Sequence, residues 1–206
     1  MSIEPQLDDS DTDDTTEPFS VRALTVQMQS RFISTLPTGI LRFLLDESSV
    51  RLFDNICALL KLYTGSAKTA STYTKRIVKM NVKLAIYSES DRLNEEESNW
   101  TYDFHDRCHL VAELVLRLGR PTRRLLPGVQ PSMEKLCEAI SEAKTLANKI
   151  VERHLREETR EKFQQAVDYF VHSKFLDAVF GDDPLYKDLM DKVLDDLEDL
   201  MDRGLI

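Results

Sequence analysis

All seven prolines and all six glycines of this 206-residue chain lie in its first 18 residues, between segments of helical apolar periodicity, or at the ends of those segments. Inside a helix, proline removes a backbone donor and clashes with the preceding turn. Glycine is the common left-handed stop after a helix. Their distribution therefore leaves long helical segments uninterrupted and gives little punctuation for β-hairpins. The fold class it predicts is all-α, an antiparallel bundle of about six to seven helices. With 42% apolar residues, a chain of this length buries about two thirds of its unfolded surface, enough for one core.

The periodicity predicts a first helix from Phe19 to Thr35, with Val21, Leu24, Met28 and Phe32 along one side, ending before Pro37. A second starts with Ser48 or Ser49 as N-cap, buries Leu52, Phe53, Ile56, Leu59, Leu60 and Tyr63, and stops at Gly65. A third runs from Ser66 to Ser88. Its centre, "IVKMNVKLAIY", is apolar nearly all round except for the edge Lys75, Lys79, Lys83, the pattern of a central helix with one narrow polar side. The fourth opens on an Asn94/Glu97 capping box and carries Phe104, Cys108, Val111, Val115 and Leu118 to Gly119. A fifth begins at Ser132 and displays Leu136, Ile140, Ala143, Ala147, Ile150 and Val151; a sixth begins near Thr159, with Phe163, Ala166, Val167 and Phe170 inward. "SKFLDAVFG" is a short turn capped by Ser173. The last helix has Asp183 as N-cap and Pro184 at its first position, and ends at Gly204.

Charge is unevenly spread. Residues 1–18 carry seven acids and no base, and residues 182–206 carry nine acids and three bases. The net charge of −9 thus hides a body, residues 19–181, with 24 bases against 20 acids. An anionic partner is compatible with that body, although no basic stripe interleaved with aromatics marks a nucleic-acid surface. The first 18 residues are too polar to offset the entropy of ordering and are expected to form a disordered acidic tail, with residues 19–206 a single helical domain. Three cysteines without C-x-x-C spacing, Cys57, Cys108 and Cys137, are expected to be buried thiols. No segment has the length and apolarity of a membrane span and the N-terminus lacks a signal peptide, so a cytoplasmic location is expected.

The sequence "FHDRCH" sets His105 and His109 on one helix face with an acid after the first, close to the H-E-x-x-H zinc-hydrolase pattern. Asp106 is one methylene short of the glutamate base, and neither His154 nor His172 stands at a recognised ligand spacing. No serine elbow, activated cysteine or phosphate-binding glycine loop is present either, so no enzyme, metal or cofactor is expected. What remains is basic. Lys75, Lys79 and Lys83 recur every fourth residue, Arg22 and Arg31 flank the apolar side of the opening helix, and Arg120, Arg123 and Arg124 precede two leucines in a connection suited to docking on an anionic bilayer.

The segments "LTVQMQSRFIS", "LLDESS", "KLY", "TKRIVKMNVKLAIYS", "IVERHL" and "DYFVHSKFLDAVFG" together resemble the tumour-necrosis-factor-induced protein 8 family, colinearly from Leu24 almost to the C-terminus. The resemblance implies helices around an apolar central cavity, and a protein that binds and transfers phospholipid, phosphoinositide above all, in signalling, apoptosis and immune regulation. It implies transient contact with the inner membrane surface and signalling partners such as small GTPases. The implied cavity is lined by Leu24, Met28 and Phe32 of the first helix, Ile56 and Leu60 of the second, Ile77, Val78 and Leu84 of the third, Val111 and Val115 of the fourth, and Ile150 and Phe170 beyond. A headgroup would be held by Arg22, Arg31, Lys75, Lys79, Lys83, Arg92 and His105. Relatives have a basic residue where His105 stands. Two positions depart from the pattern: Ser30 replaces a basic residue of the first helix, and Glu89 stands where the family has an arginine, with Arg92 the nearby substitute. An adaptor bundle that binds proteins and carries no lipid is the alternative.

Overall fold

The computed structural model describes residues 20–24, 26, 38–89, 92–120 and 131–206. Among them the regular structure is entirely helical: α1 (Thr38–Leu45), α2 (Glu47–Thr64), α3 (Ala67–Glu89), α4 (Glu95–Gly119), α5 (Met133–Val151), α6 (Glu157–Phe170), α7 (Ser173–Val179) and α8 (Pro184–Asp202). Residues 21–24 are helical as well, within the segment expected to form the first helix. Helix α1 has no counterpart in the sequence reading, because eight residues opening on Thr38 and Gly39 offer little more than two turns of period to detect.

Most boundaries follow local chemistry. The capping box of α4 is present, with the Glu97 N–H donating to Asn94 Oδ1 at 2.8 Å and the Asn94 N–H to Glu97 Oε2 at 2.9 Å. Ser132 caps α5 and Asp183 caps α8, where Pro184 occupies the first turn. Gly65 closes α2 with φ 67°, a left-handed conformation that costs a side-chain-bearing residue more. Three expected caps differ. Asp46, not Ser48 or Ser49, caps α2, because its carboxylate accepts from both serine N–H groups while the Ser48 hydroxyl is turned to Asp199. Helix α6 starts two residues before Thr159, and α7 follows His172 without a side-chain cap.

The helices pair antiparallel. Along α4 and α5, Trp100 lies against Lys149 and Arg107 bonds Glu142 at 3.0 Å, so numbers rise on one helix as they fall on the other. Along α2 and α8, Arg51 pairs with Asp196 at 2.8 Å, Ser48 with Asp199 at 2.7 Å, and Asp46 with Arg203. Helix α3 packs against α2 on one side and α6 on another. It ends beside α5, where Tyr87 stacks on His154 at 4.8 Å and donates its hydroxyl to the His154 carbonyl.

The apolar side chains fall into three clusters. Leu52, Leu60, Leu114, Leu136, Phe175 and Leu194 belong to the largest, which joins α2, α4, α5, α7 and α8. Leu24, Leu44, Val78, Val82 and Ile86 form a second, and Met80, Leu84, Ile150, Phe163 and Val167 a third. The residues expected to line one cavity are divided among them: Ile56, Leu60, Val111, Val115 and Phe170 in the first, Leu24 and Val78 in the second, Ile77, Leu84 and Ile150 in the third. Met28 and Phe32 lie outside the described residues. Of the cysteines, Cys57 and Cys137 are half-buried, whereas Cys108 is exposed, as are residues 105 to 107 beside it, in a stretch of α4 covered chiefly by α5 alone.

Two expected outcomes follow. The Arg203 guanidinium, with the Ser48 and Ser49 N–H groups, holds the Asp46 carboxyl below its ordinary value, and the Ser48 hydroxyl and Arg203 do the same for Asp199. At Glu97 burial pushes the carboxyl up, but the Asn94 N–H, His154 and Arg153 together outweigh it and the net direction is downward. Carboxylates with lowered folded-state values contribute stability that is complete above the unfolded values of 3.8 and 4.5 and is lost as pH falls through the folded ones. Urea midpoints measured from about pH 7 to about pH 2.5 should therefore fall with acid, and Asp46→Asn should make the fall shallower while lowering stability at neutral pH. Gly119→Ala is expected to cost about 1–3 kcal/mol in urea unfolding, because an added Cβ would run into the Leu194 side chain, itself 1% exposed.

Candidate functional site

Helix α3 carries five basic residues and one acid, Glu89, at its last position. With α2 and α6 packed on its apolar surface, the charged edge is confined to one flank. There Lys75, Arg76, Lys79 and Lys83 meet Thr159, Lys162 and Phe163 of α6, with Met80 between, around a recess of about 20 Å³. That is room for roughly one water molecule. Five cations thus border one small concavity, contributed by two helices far apart in sequence.

Their environments differ. Lys75 and Lys79 make no ion pair with a described residue, while Lys162 bonds Glu158 one turn back at 3.0 Å. Lys83 is only 5% exposed although it borders the recess, its aliphatic stem covering apolar surface. Arg76 lies 5.7 Å from the centre of the Tyr73 ring, and Tyr73 contacts the Tyr169 ring at 4.5 Å. Burial, then the Tyr169 hydroxyl, pushes the Tyr73 phenol upward, so it stays neutral beside the guanidinium. The flank therefore offers a planar guanidinium, ammonium groups and apolar contact within two helical turns, a combination suited to an anion attached to a hydrocarbon body.

The other expected headgroup residues stand elsewhere. Arg22 and Arg92 are exposed and do not border the recess, and His105 projects from the exposed side of α4. Arg31 lies outside the described residues, as do Arg123 and Arg124. Arg120, expected to dock on a membrane, is engaged within the bundle by Asp195 and by Glu198 at 2.5 Å, joining the end of α4 to α8. The histidines do not converge: His154 turns to the buried Glu97 carboxylate at 3.4 Å and His172 lies 3.4 Å from the Tyr63 hydroxyl. Among the described residues no group of three His, Cys, Asp or Glu is arranged to hold a metal ion.

The sequence reading missed Arg76, Thr159, Lys162 and Phe163. Arg76 had a signal, as the neighbour of Lys75 on a helix almost free of acids. Lys162 had none, because its place at the recess depends on how α6 crosses α3. A second concavity, open and about 610 Å³, lies between α4 and α5 and is bordered by Asp103, Asp106, Glu138 and Glu142 together with Arg107 and Lys149.

No helix among the described residues is long and apolar enough to cross a membrane. Comparison with known proteins gives a consistent family. Tumor necrosis factor alpha-induced protein 8 of Gallus gallus is 24% identical over 194 residues, covering 93% of this chain and 99% of that protein. The human protein of the same name is 23% identical over 188 residues, 91% of this chain and 92% of its own length. Tumor necrosis factor alpha-induced protein 8-like protein 2 of Otolemur garnettii is 24% identical over 189 residues, 91% and 98% respectively. None of these names specifies an enzymatic activity. The model of the family described as tumor necrosis factor alpha-induced protein 8-like matches residues 19–204, and with nearly the whole helical body matched, the chain belongs to that family.

Proposed function

We propose that this protein is a non-enzymatic phospholipid-binding and transfer protein that takes a phosphoinositide headgroup at the recess of Lys75, Arg76, Lys79, Lys83 and Lys162, acting in signalling, apoptosis and immune regulation at anionic membrane surfaces. The observation that carries the reading is the convergence of these five cations from α3 and α6 beside Met80 and Phe163. Like charges one turn apart on a helix are unfavourable by about 0.2–0.5 kcal/mol per pair, so Lys75 and Lys79, which make no ion pair with a described residue, work against the stability of α3 until an anion sits on them. A phosphorylated headgroup removes that repulsion, with Arg76 as the bidentate donor and the ammonium groups as adjustable point charges. The names of the relatives, which tie them to induction by tumor necrosis factor alpha, support a place in immune signalling.

Acyl chains need more space than the recess of about 20 Å³ provides. In this reading they enter along the seams between apolar clusters, where Phe43 touches both the first and second clusters and Ile140 both the first and third. The segment carrying Leu24, which packs in the second cluster, is the cover that moves. Each buried CH₂ of a guest contributes about 0.8 kcal/mol, enough to offset separation of packed side chains over one or two chains. The open polar groove between α4 and α5 favours a second reading, a protein-binding adaptor without lipid cargo.

Native mass spectrometry of the purified chain after incubation with a diacyl phosphoinositide separates the two readings: an added lipid mass supports the carrier, and an unchanged mass the adaptor. In co-sedimentation with vesicles containing phosphatidylinositol bisphosphate, Lys75→Glu with Lys79→Glu is expected to weaken binding by at least about tenfold, with the helical circular dichroism signal retained. Undiminished binding would remove the recess from the proposal.

A further inference from the structure

Among the described residues that border the recess, Thr159 alone carries a hydroxyl, and the headgroup account leaves it without a task. It is the third residue of α6, half-buried, and it shares the recess with Lys75, Arg76, Lys79 and Lys83 of α3 and with Lys162 of its own helix. Helix α6 begins poorly. Arg156 occupies the N-cap with no side-chain cap bond, and a cation there opposes the helix dipole. The approach is open: Glu152, Arg153, Arg156, Glu157 and Glu158, between the end of α5 and Thr159, are exposed. An uncapped first turn leaves its backbone N–H groups to water and frays readily, which gives an enzyme access to an extended segment around the hydroxyl. Arg156 also stands three residues before Thr159, the spacing at which arginine-directed protein kinases recognise an acceptor.

We infer that Thr159 is a phosphorylation site whose phosphate is held by the cations of the recess, capping α6 and closing the recess to an external anion. In the modifying step the Thr159 Oγ1 attacks the γ-phosphorus of ATP. The Oγ1–P bond forms as the bond to the leaving diphosphate breaks, and the hydroxyl proton passes to the kinase's catalytic carboxylate. The product carries a charge of about −1.5 to −2 at neutral pH and three strong acceptor oxygens. A phosphate in the first turn of a helix, or facing a cluster of cations, gains charge-assisted hydrogen bonds, and Thr159 meets both conditions. Lys162 is already bonded to Glu158 at 3.0 Å, whereas Lys75 and Lys79 make no ion pair with a described residue and are the partners of greatest weight. Glu157 and Glu158 oppose the new charge, but both are exposed and screened, and five cations border the recess. With room for roughly one water in the recess, the phosphate sits across its mouth, where a headgroup would enter. The phosphate contact rests on the recess itself; the closure to lipid rests on the function proposed above.

Three measurements on the full-length chain test the inference. Incubation with an arginine-directed protein kinase and ATP, followed by peptide mapping, should place phosphate on Thr159 and lose it there in Arg156→Ala. Phosphate confined to other residues, or none, would overturn the modification site. A chain carrying phosphate on Thr159, made by co-translational incorporation of phosphothreonine, should unfold at a urea concentration about 0.3–1 M higher than the unmodified chain. That gap should vanish in Lys75→Glu with Lys79→Glu and narrow in about 0.5 M sodium chloride. An equal or lower midpoint would overturn the contact between phosphate and recess. Binding of the phosphorylated chain to vesicles containing phosphatidylinositol bisphosphate should fall by at least about tenfold. Undiminished binding beside a raised midpoint would overturn the closure while the phosphate contact stands. A raised midpoint in a chain that binds no vesicle in either form would uphold the phosphate contact and remove the lipid reading.

Discussion

A helix surrounded on most of its circumference by other helices has to concentrate its polar groups on whatever edge is left. Helix α3 is in that position, with α2 and α6 against it and its end beside α5. Its Val78, Met80, Val82, Leu84 and Ile86 are each no more than 7% exposed and supply two of the three apolar clusters. The lysines and Arg76 have no second face to occupy. Their convergence is therefore a consequence of packing: the burial that stabilises the bundle also compresses like charges into one flank, and α6 adds another.

The remaining architecture keeps that helix in place. On one side of the molecule α2 is locked to α8 by a run of charge-assisted bonds in which Asp46 both caps α2 and receives Arg203, Ser48 donates to Asp199, and Arg51 reaches Asp196. On another, the ends of α3, α4 and α5 meet around Tyr87, Glu97 and His154, where the buried Glu97 carboxylate accepts the Asn94 N–H and has the cationic or polar groups of His154 and Arg153 3.4 and 3.6 Å away. Most of these polar joints sit at helix ends, with Arg51–Asp196 a turn or more further in. Phe43 and Ile140 each pack against two clusters and so mark the seams between them.

Much of this was legible before any tertiary contact was known. The third, fourth, fifth and last helices begin and end within a residue or two of where Ser66, the Asn94/Glu97 box, Ser132 and Asp183–Pro184 place them, because capping is decided by atoms three residues apart. The Lys75, Lys79, Lys83 edge was equally visible, as a period-four interruption of an apolar helix. By contrast Asp46 displaced the serine caps because Asp199, about 150 residues away, claimed the Ser48 hydroxyl. Arg120 belongs to an interhelical ion pair for the same reason: its carboxylate partners are on α8.

The sequence by itself determined the fold class, most helix ends and the existence of a basic edge, since all three depend on local spacing and on which residues tolerate burial. Tertiary structure decided what that edge faces. Lys162, Thr159 and Phe163 join the recess through the crossing of α6 over α3, and the described residues expected to line one cavity fall into three clusters through the choice of neighbours for each helix. Periodicity specifies that a face is buried. It carries no information on the face that buries it, because apolar attraction is non-directional and the partner is selected by the summed packing of all the helices.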